Sequence, residues 1–184
     1  MTCFNKPQVL DRIHQELSKD YDLATFPHVC EELAIPPEDV IDLKDGSYRL
    51  VAVTGASSED ETKTSVSTLF SLYFGSEKIV AKALCSYENL EMNSVGPTIE
   101  MFEVAEEWQG HRLGDALMRG VHSFYCAKFE DILTNVLLSV CHVTNFHAAR
   151  WFMSKHHFKD LDGMCEELGK YLNPDEYEDD DDEE

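Results

Sequence analysis

The feature that most constrains this fold is a plan that occurs twice in the same order, an apolar run, a turn and an amphipathic segment. The first copy starts at Pro97 with Thr98-Ile-Glu-Met-Phe-Glu-Val104, continues into the glycine-bearing turn Gln109-Gly-His-Arg-Leu-Gly114, and opens residues 111–128. There Leu113, Leu117, Val121 and Phe124-Tyr125 share one face at helical spacing. The second copy is Val136-Leu-Leu-Ser-Val-Cys-His-Val143 followed by Asn145-Phe-His-Ala148-Ala-Arg-Trp-Phe152-Met-Ser-Lys155-His-His-Phe158, which reads as a second helix. Strand, turn, helix, strand, helix suits an anionic ligand, because the first amides of a helix and its positive dipole end converge on the turn.

The segments before Pro97 fit around those two units. Residues 6–21 carry Val9-Leu10, Ile13 and Leu17 at helical spacing, with Asn5 as a cap and Pro7 near the start. Residues 27–34 read as a second short helix through Val29 and Leu33, and Pro36-Pro37 interrupts it. Residues 40–43 and 48–53 read as strands around Asp45-Gly46, and the polar stretch 55–63 reads as a loop. Residues 64–74 and 77–87 read as a hairpin about Gly75-Ser76, with a loop over 88–96. After Phe158, Met164, Leu168 and Tyr171-Leu172 have helical spacing and predict a short final helix. The expectation is one α/β domain over residues 1–172, with a mixed, twisted, mainly antiparallel sheet flanked by helices.

Charge limits the partners. The formal charge is -21, and residues 175–184 hold nine of the acidic side chains, leaving -12 for the rest. A self-repelling tail with so little to bury is expected to be disordered over 173–184, either as a solubility device or as a contact for a basic partner. So acidic a chain is not expected to bind nucleic acid directly, which takes clustered Lys and Arg. No apolar stretch approaches the roughly 18 to 20 residues that span a bilayer, so no membrane partner is expected. Cys3, Cys30, Cys85, Cys126, Cys141 and Cys165 show no CxxC spacing. Reduced thiols in the cytoplasm or nucleus, with no metal site, are the expectation.

At these two segments the chain resembles the GNAT superfamily of acyl-CoA-dependent N-acetyltransferases. The family's cofactor turn follows a strand ending in Val and reads Gln or Arg, two variable residues, Gly, one variable residue, then Gly or Ala. Val104, Gln109, Gly110, Leu113, Gly114 and Ala116-Leu-Met118 fit that frame, while Arg112 stands where the family usually has another Gly. The second signature is matched by Asn145, Ala148, Trp151 and Phe158, with Phe152 in place of the usual Tyr and His157 in place of the usual Gly. The resemblance covers Pro97 to Phe158, about a third of the chain. Family members usually close with two further strands, where this chain predicts a helix.

The resemblance implies acetyl-CoA as co-substrate and a primary amine as acceptor. It places the cofactor on Val104, Gln109, Gly110, His111, Arg112, Leu113, Gly114, Asp115 and Asn145. Arg112 either contacts phosphate or points to solvent; Asp115 suits the start of a helix; Asn145 contacts the cofactor arm, caps the helix, or does both. In many relatives the base lies four or six residues before the Val, at positions held here by Glu100 and Thr98. Glu100 is therefore the expected general base, through a water, with Glu103 second. Strict alternation would put Thr98, Glu100, Phe102 and Val104 on one face of the strand and Ile99, Met101 and Glu103 on the other. With no Cys-His or Ser-His pair in the motifs, direct attack by the amine is favoured. An acidic body favours a cationic acceptor, whether a polyamine, a protein lysine or a protein N-terminus. The competing expectation is a non-catalytic interaction protein that binds a basic partner through its acidic surface and tail.

Overall fold

β-Branched and aromatic residues alternating with Ser and Thr give the first half of the chain its strands. In the computed structural model, which describes residues 28–33, 48–60, 63–75, 78–89, 96–129, 136–140, 143 and 145–172, these form a meander. Its strands are β1 (His28–Leu33), β2 (Tyr48–Asp60), β3 (Lys63–Phe74), β4 (Lys78–Asn89) and β5 (Thr98–Val104). After a 3₁₀ turn at Glu106–Trp108 come α1 (Leu113–Lys128), β6 (Leu137–Val140), α2 (Phe146–His156), β7 (Lys159–Asp160) and β8 (Leu168–Tyr171). The fold is α/β, an open, mostly antiparallel eight-stranded sheet in the order β1-β2-β3-β4-β5-β6-β8-β7. The junction of β5 with β6 is parallel, as a strand–helix–strand crossover requires, and is registered at Thr98↔Ser139 and Ile99↔Val140.

Both faces of the sheet are apolar. On one face Leu50, Phe70, Leu72, Ala83, Cys85, Ile99, Leu138 and Leu168 meet α1 through Leu113, Leu117, Val121 and Tyr125, and α2 through Ala149 and Phe152. A Cβ added at Gly120 would lie 2.1 Å from Leu50 Cδ2, so the missing side chain makes room for Leu50 of β2 against α1. On the opposite face Val51, Val53, Leu69, Tyr73 and Leu84 form a second cluster with Ile79 and Met101.

Three sequence expectations are corrected. Residues 28–33 are a strand paired with β2 from His28↔Gly55 to Leu33↔Leu50, and not part of a helix. Residues 55–63 largely continue the β2–β3 ribbon, which runs out to Asp60↔Lys63, because backbone pairing along a ribbon does not need apolar side chains. The predicted final helix is replaced by β7 and β8, with β8 antiparallel to β6 from Leu137↔Tyr171 to Val140↔Leu168. The first and third errors share one cause. Val29/Leu33 and Leu168/Leu172 are four apart, and four residues return to the same face in a helix and in a strand alike.

The helix expected over 6–21, the strand over 40–43 and the acidic tail lie outside the described residues. Among the described residues no helix is long and apolar enough to cross a membrane.

Candidate functional site

Among the described residues the registered pairing of β5 with β6 runs to Ile99 and Val140, and further along β5 a cleft of about 680 Å3 opens beside Phe102 and Val104. Phe102 and Val104 of β5, the turn from Gln109 to Gly114 and the first turns of α2 enclose that cleft. Its floor is aromatic: Phe102 lies 5.4 Å from Trp151 and 5.7 Å from Phe152 between ring centroids.

The turn has the backbone that its glycines allow and one residue that resists it. Gly110 has φ 81°, which suits glycine, but Arg112 holds φ 59°, uncommon for a residue with a Cβ. Arg112 is the N-cap of α1, whose first intrahelical bond runs from Ala116 N–H to Arg112 C=O at 3.1 Å. No side chain caps this helix start. The first amides of α1 are thus left for a ligand or solvent, at the positive end of a sixteen-residue helix. Gln109 Nε2 donates to Val104 C=O at 3.1 Å and ties the turn to the end of β5. A Cβ added at Gly114 would lie 3.3 Å from Trp151 Cζ2 and 3.6 Å from Val104 Cγ2. Glycine at this position keeps the cleft open between them.

Asp115 does more than suit a helix start. Its Oδ1 accepts from Trp151 Nε1 at 3.1 Å and from His156 Nε2 at 3.1 Å, while Arg112 Nε lies 3.8 Å from Oδ2. One carboxylate therefore pins α2 to the first turn of α1 and sets the width of the cleft. Burial lowers the His156 pKa and outweighs the raising effect of Asp115. The imidazole is thus neutral at neutral pH, with its proton on Nε2 as the donor to Asp115. Replacing Asp115 with Ala leaves one buried and one half-buried donor without an acceptor and is expected to cost about 2–3 kcal/mol, a fall of roughly 4–12 °C in melting temperature. Thermal melts check this, and Asp115→Asn, which retains an acceptor oxygen, should recover part of the loss.

The second helix places Ala148, Trp151, Phe152 and Lys155 on one face toward the cleft. Asn145 caps it, with Oδ1 accepting from His147 N–H at 2.9 Å, and also borders the cleft. Arg112, Lys155 and His147 put cationic or ionisable groups at the mouth of this cleft in a chain of charge -21. Lys155 and His147 were not among the expected site residues, although their spacing from Ala148 and Trp151 on α2 carried the signal.

Val104, Gln109, Gly110, Arg112, Leu113, Gly114, Asp115 and Asn145 all border the cleft. His111 is half-buried and lies outside its lining, and so does Glu100. The face expected for Glu100 is corrected by a bulge. Cys85 and Leu84, adjacent on β4, oppose Ile99 and Met101, so Glu100 is the extra residue of β5. Ile99 then shares the helix face with Phe102 and Val104, and Met101 falls on the opposite face with Leu84. Ser86 Oγ donates to Glu100 Oε1, and Thr98 Oγ1 lies 2.9 Å from Ser139 Oγ across the parallel junction. Glu103 is engaged on the surface by Lys82 Nζ at 3.4 Å.

Other reactive groups are less suited. Cys126 Sγ lies 3.6 Å from His122 Nδ1, a Cys-His pair outside the motifs. It donates to Leu172 C=O at 3.2 Å, and burial raises its thiol pKa, so no thiolate is poised there. Tyr125 is fully buried, its phenol held protonated by burial, and Tyr171 lies outside the cleft lining on β8. No group of three or more His, Cys, Asp or Glu placed to hold a metal ion occurs among the described residues.

No protein-family model matches the chain, and no curated protein matches it.

Proposed function

We propose that this chain is a GNAT-type N-acetyltransferase that moves an acetyl group from acetyl-CoA directly to a primary amine. One observation carries the reading: the uncapped start of α1 faces a cleft bordered by Phe102 and Val104 of β5. A pyrophosphate suits the amides of Leu113 to Asp115, with Arg112 and Lys155 supplying charge-assisted contacts, and an extended thioester arm suits the part of β5 that borders the cleft. The departures from the family pattern support it as well. Arg112 (φ 59°) and His157 (φ 58°) stand where the family usually has Gly, and both keep the left-handed backbone that glycine favours. The closing strands β7 and β8 agree with the family's usual ending.

In this reading Glu100, directly or through a water, takes a proton from the ammonium of the acceptor. The neutral nitrogen then attacks the thioester carbon; the C–N bond forms, the C–S bond breaks and the thiolate leaves as CoA. Neutralising the amine matters because an alkyl ammonium has a pKa of roughly 10. Phe152 occupies the place of the usual phenol, so water or a group at the cleft mouth such as His147 returns the proton to the thiolate. Direct transfer fits a cleft whose lining, among the described residues, holds no cysteine or serine nucleophile. The acceptor is cationic, a polyamine or the amine of a basic protein, in keeping with the charge of -21.

The test is thermal stabilisation followed by turnover. CoA or acetyl-CoA at about 100 times its Kd should stabilise the protein by about 2.7 kcal/mol, and a screen of amines should release free thiol. Stabilisation without thiol release from any amine favours a non-catalytic binding protein; no stabilisation by either ligand removes the reading.

A further inference from the structure

Asp115 borders the cleft as a carboxylate whose closest partners are neutral. Its Oδ1 accepts from Trp151 Nε1 and from His156 Nε2, each at 3.1 Å, while the cation beside it, Arg112, holds Nε 3.8 Å from Oδ2. The Arg112 side chain is 50% exposed, whereas those of Asp115 and His156 are 18% and 7% exposed. The Trp151 ring also packs on the imidazole, 4.4 Å between centroids. Of these groups Arg112 is the one that can change partner without unpacking α2 from α1.

That arrangement meets a problem of charge when an anion enters. The proposed pyrophosphate lies on the amides of Leu113 to Asp115, so it brings negative charge to the residue that already carries this carboxylate. In the same reading Arg112 turns to the phosphates, and its charge is drawn away from Oδ2. A largely buried carboxylate beside a new anion needs another counter-charge. Trp151 cannot supply it, because an indole N–H donates without ionising. His156 can, and no heavy atom has to move. A proton added at Nδ1 makes the existing Nε2–H···Oδ1 bond a charge-assisted one. An imidazole is also far more basic than a carboxylate, so it takes the proton first. The same imidazole is faced by Asp115, Arg119 and His122 of α1 and by Lys170 of β8, and Lys155 precedes it on α2. Burial, with help from Arg119 and Lys170, keeps its pKa below the ordinary value against the pull of Asp115. His122, pushed down to about 4 chiefly by burial, is neutral and adds no charge.

We propose that His156 takes up a proton when an anionic ligand binds at the start of α1, and that its imidazolium then holds Asp115, and with it α2, in place beside the ligand. His156 is thus a positioning residue, and the inference rests on the acetyltransferase reading for the identity of the ligand. A unit charge about 8 Å away moves a pKa by about 1.5 units at an effective dielectric constant of about 20. CoA should accordingly raise the His156 midpoint by about one unit. Linkage fixes the sign, since CoA then binds the protonated form better. The gain in affinity is absent above the raised midpoint, grows as pH falls, and is complete below the original one.

The test compares CoA affinity, by calorimetry, in the natural chain and in His156→Gln, whose amide nitrogen can still donate to Asp115. The ratio of the two Kd values cancels the ionisation of the CoA phosphates. Between about pH 7.5 and about pH 5.5, on either side of the ordinary imidazole pKa, the natural chain should gain about fivefold over the variant. A ratio that stays constant over that range would show a hydrogen bond of purely structural value and overturn the proposal. NMR of the natural chain is the second measurement and needs no variant: the His156 ring should titrate about one unit higher with saturating CoA than without it. An unmoved midpoint, with CoA visibly shifting the amides of Leu113 to Asp115, would overturn this inference and leave the acetyltransferase reading standing. No binding of CoA at all would remove both.

Discussion

Glu100→Gln is expected to lower acetyl transfer about 10²–10⁴-fold while leaving acetyl-CoA affinity unchanged. The substitution is nearly isosteric, and the amide oxygen it introduces could still accept from Ser86 Oγ, so the bulge and its hydrogen bond survive. What is lost is basicity at the one residue of β5 that the bulge takes out of register with β4. The acidic limb of the kcat/KM profile should flatten, because the group that must be deprotonated is gone. Glu103→Gln is the control. Its carboxylate is committed to Lys82 on the surface, and exposed pairs of this kind contribute about 0–1 kcal/mol, so that variant should turn over almost normally. Equal losses in the two variants would show that Glu100 is not the base.

The second large effect is on binding. Gly114→Val should weaken acetyl-CoA by about a hundredfold, roughly 2.8 kcal/mol, in a protein that remains folded. A Cβ here already meets Trp151 at 3.3 Å and Val104 at 3.6 Å, and the added methyl groups must extend into the cleft, since those neighbours fill the other directions. Gly114→Ala should fall between the two, because a few tenths of an ångström of yielding by the Trp151 ring would accommodate one carbon. Calorimetric titration, with circular dichroism as the check on folding, separates this from a global effect. Natural affinity in the folded valine variant would mean that the ligand does not pass the turn.

Much of the scaffold was legible because its signals are local. Pro97 before an alternating apolar run marked β5, the glycines of the turn marked the start of α1, and Asn145 marked the cap of α2, whose side chain does accept from His147 N–H. The failures came where the deciding contact is remote in sequence. Val29 and Leu33 fit both periods, and what makes 28–33 a strand is its pairing with residues 50–55 of β2. The face of Glu100 depended on a bulge opposite Leu84 and Cys85, which alternation within β5 cannot reveal. Asp115 looked like a helix-start residue because its partners, Trp151 and His156, lie 36 and 41 residues away.

The ladder between β5 and β6 has a mechanical consequence. Among the described residues six of the seven strand junctions are antiparallel, and those of the meander are long, whereas this parallel junction holds two registered residue pairs. Over the described residues the sheet is in effect a five-strand plate, which carries α1 on β3, β4 and β5, and a small three-strand leaf joined to it by a short hinge. Where registered pairing is sparse, local opening costs less than global unfolding. The line of greatest compliance therefore runs along the cleft itself. A bulky ligand can be admitted by flexing the leaf, without disturbing the plate on which Glu100 is mounted.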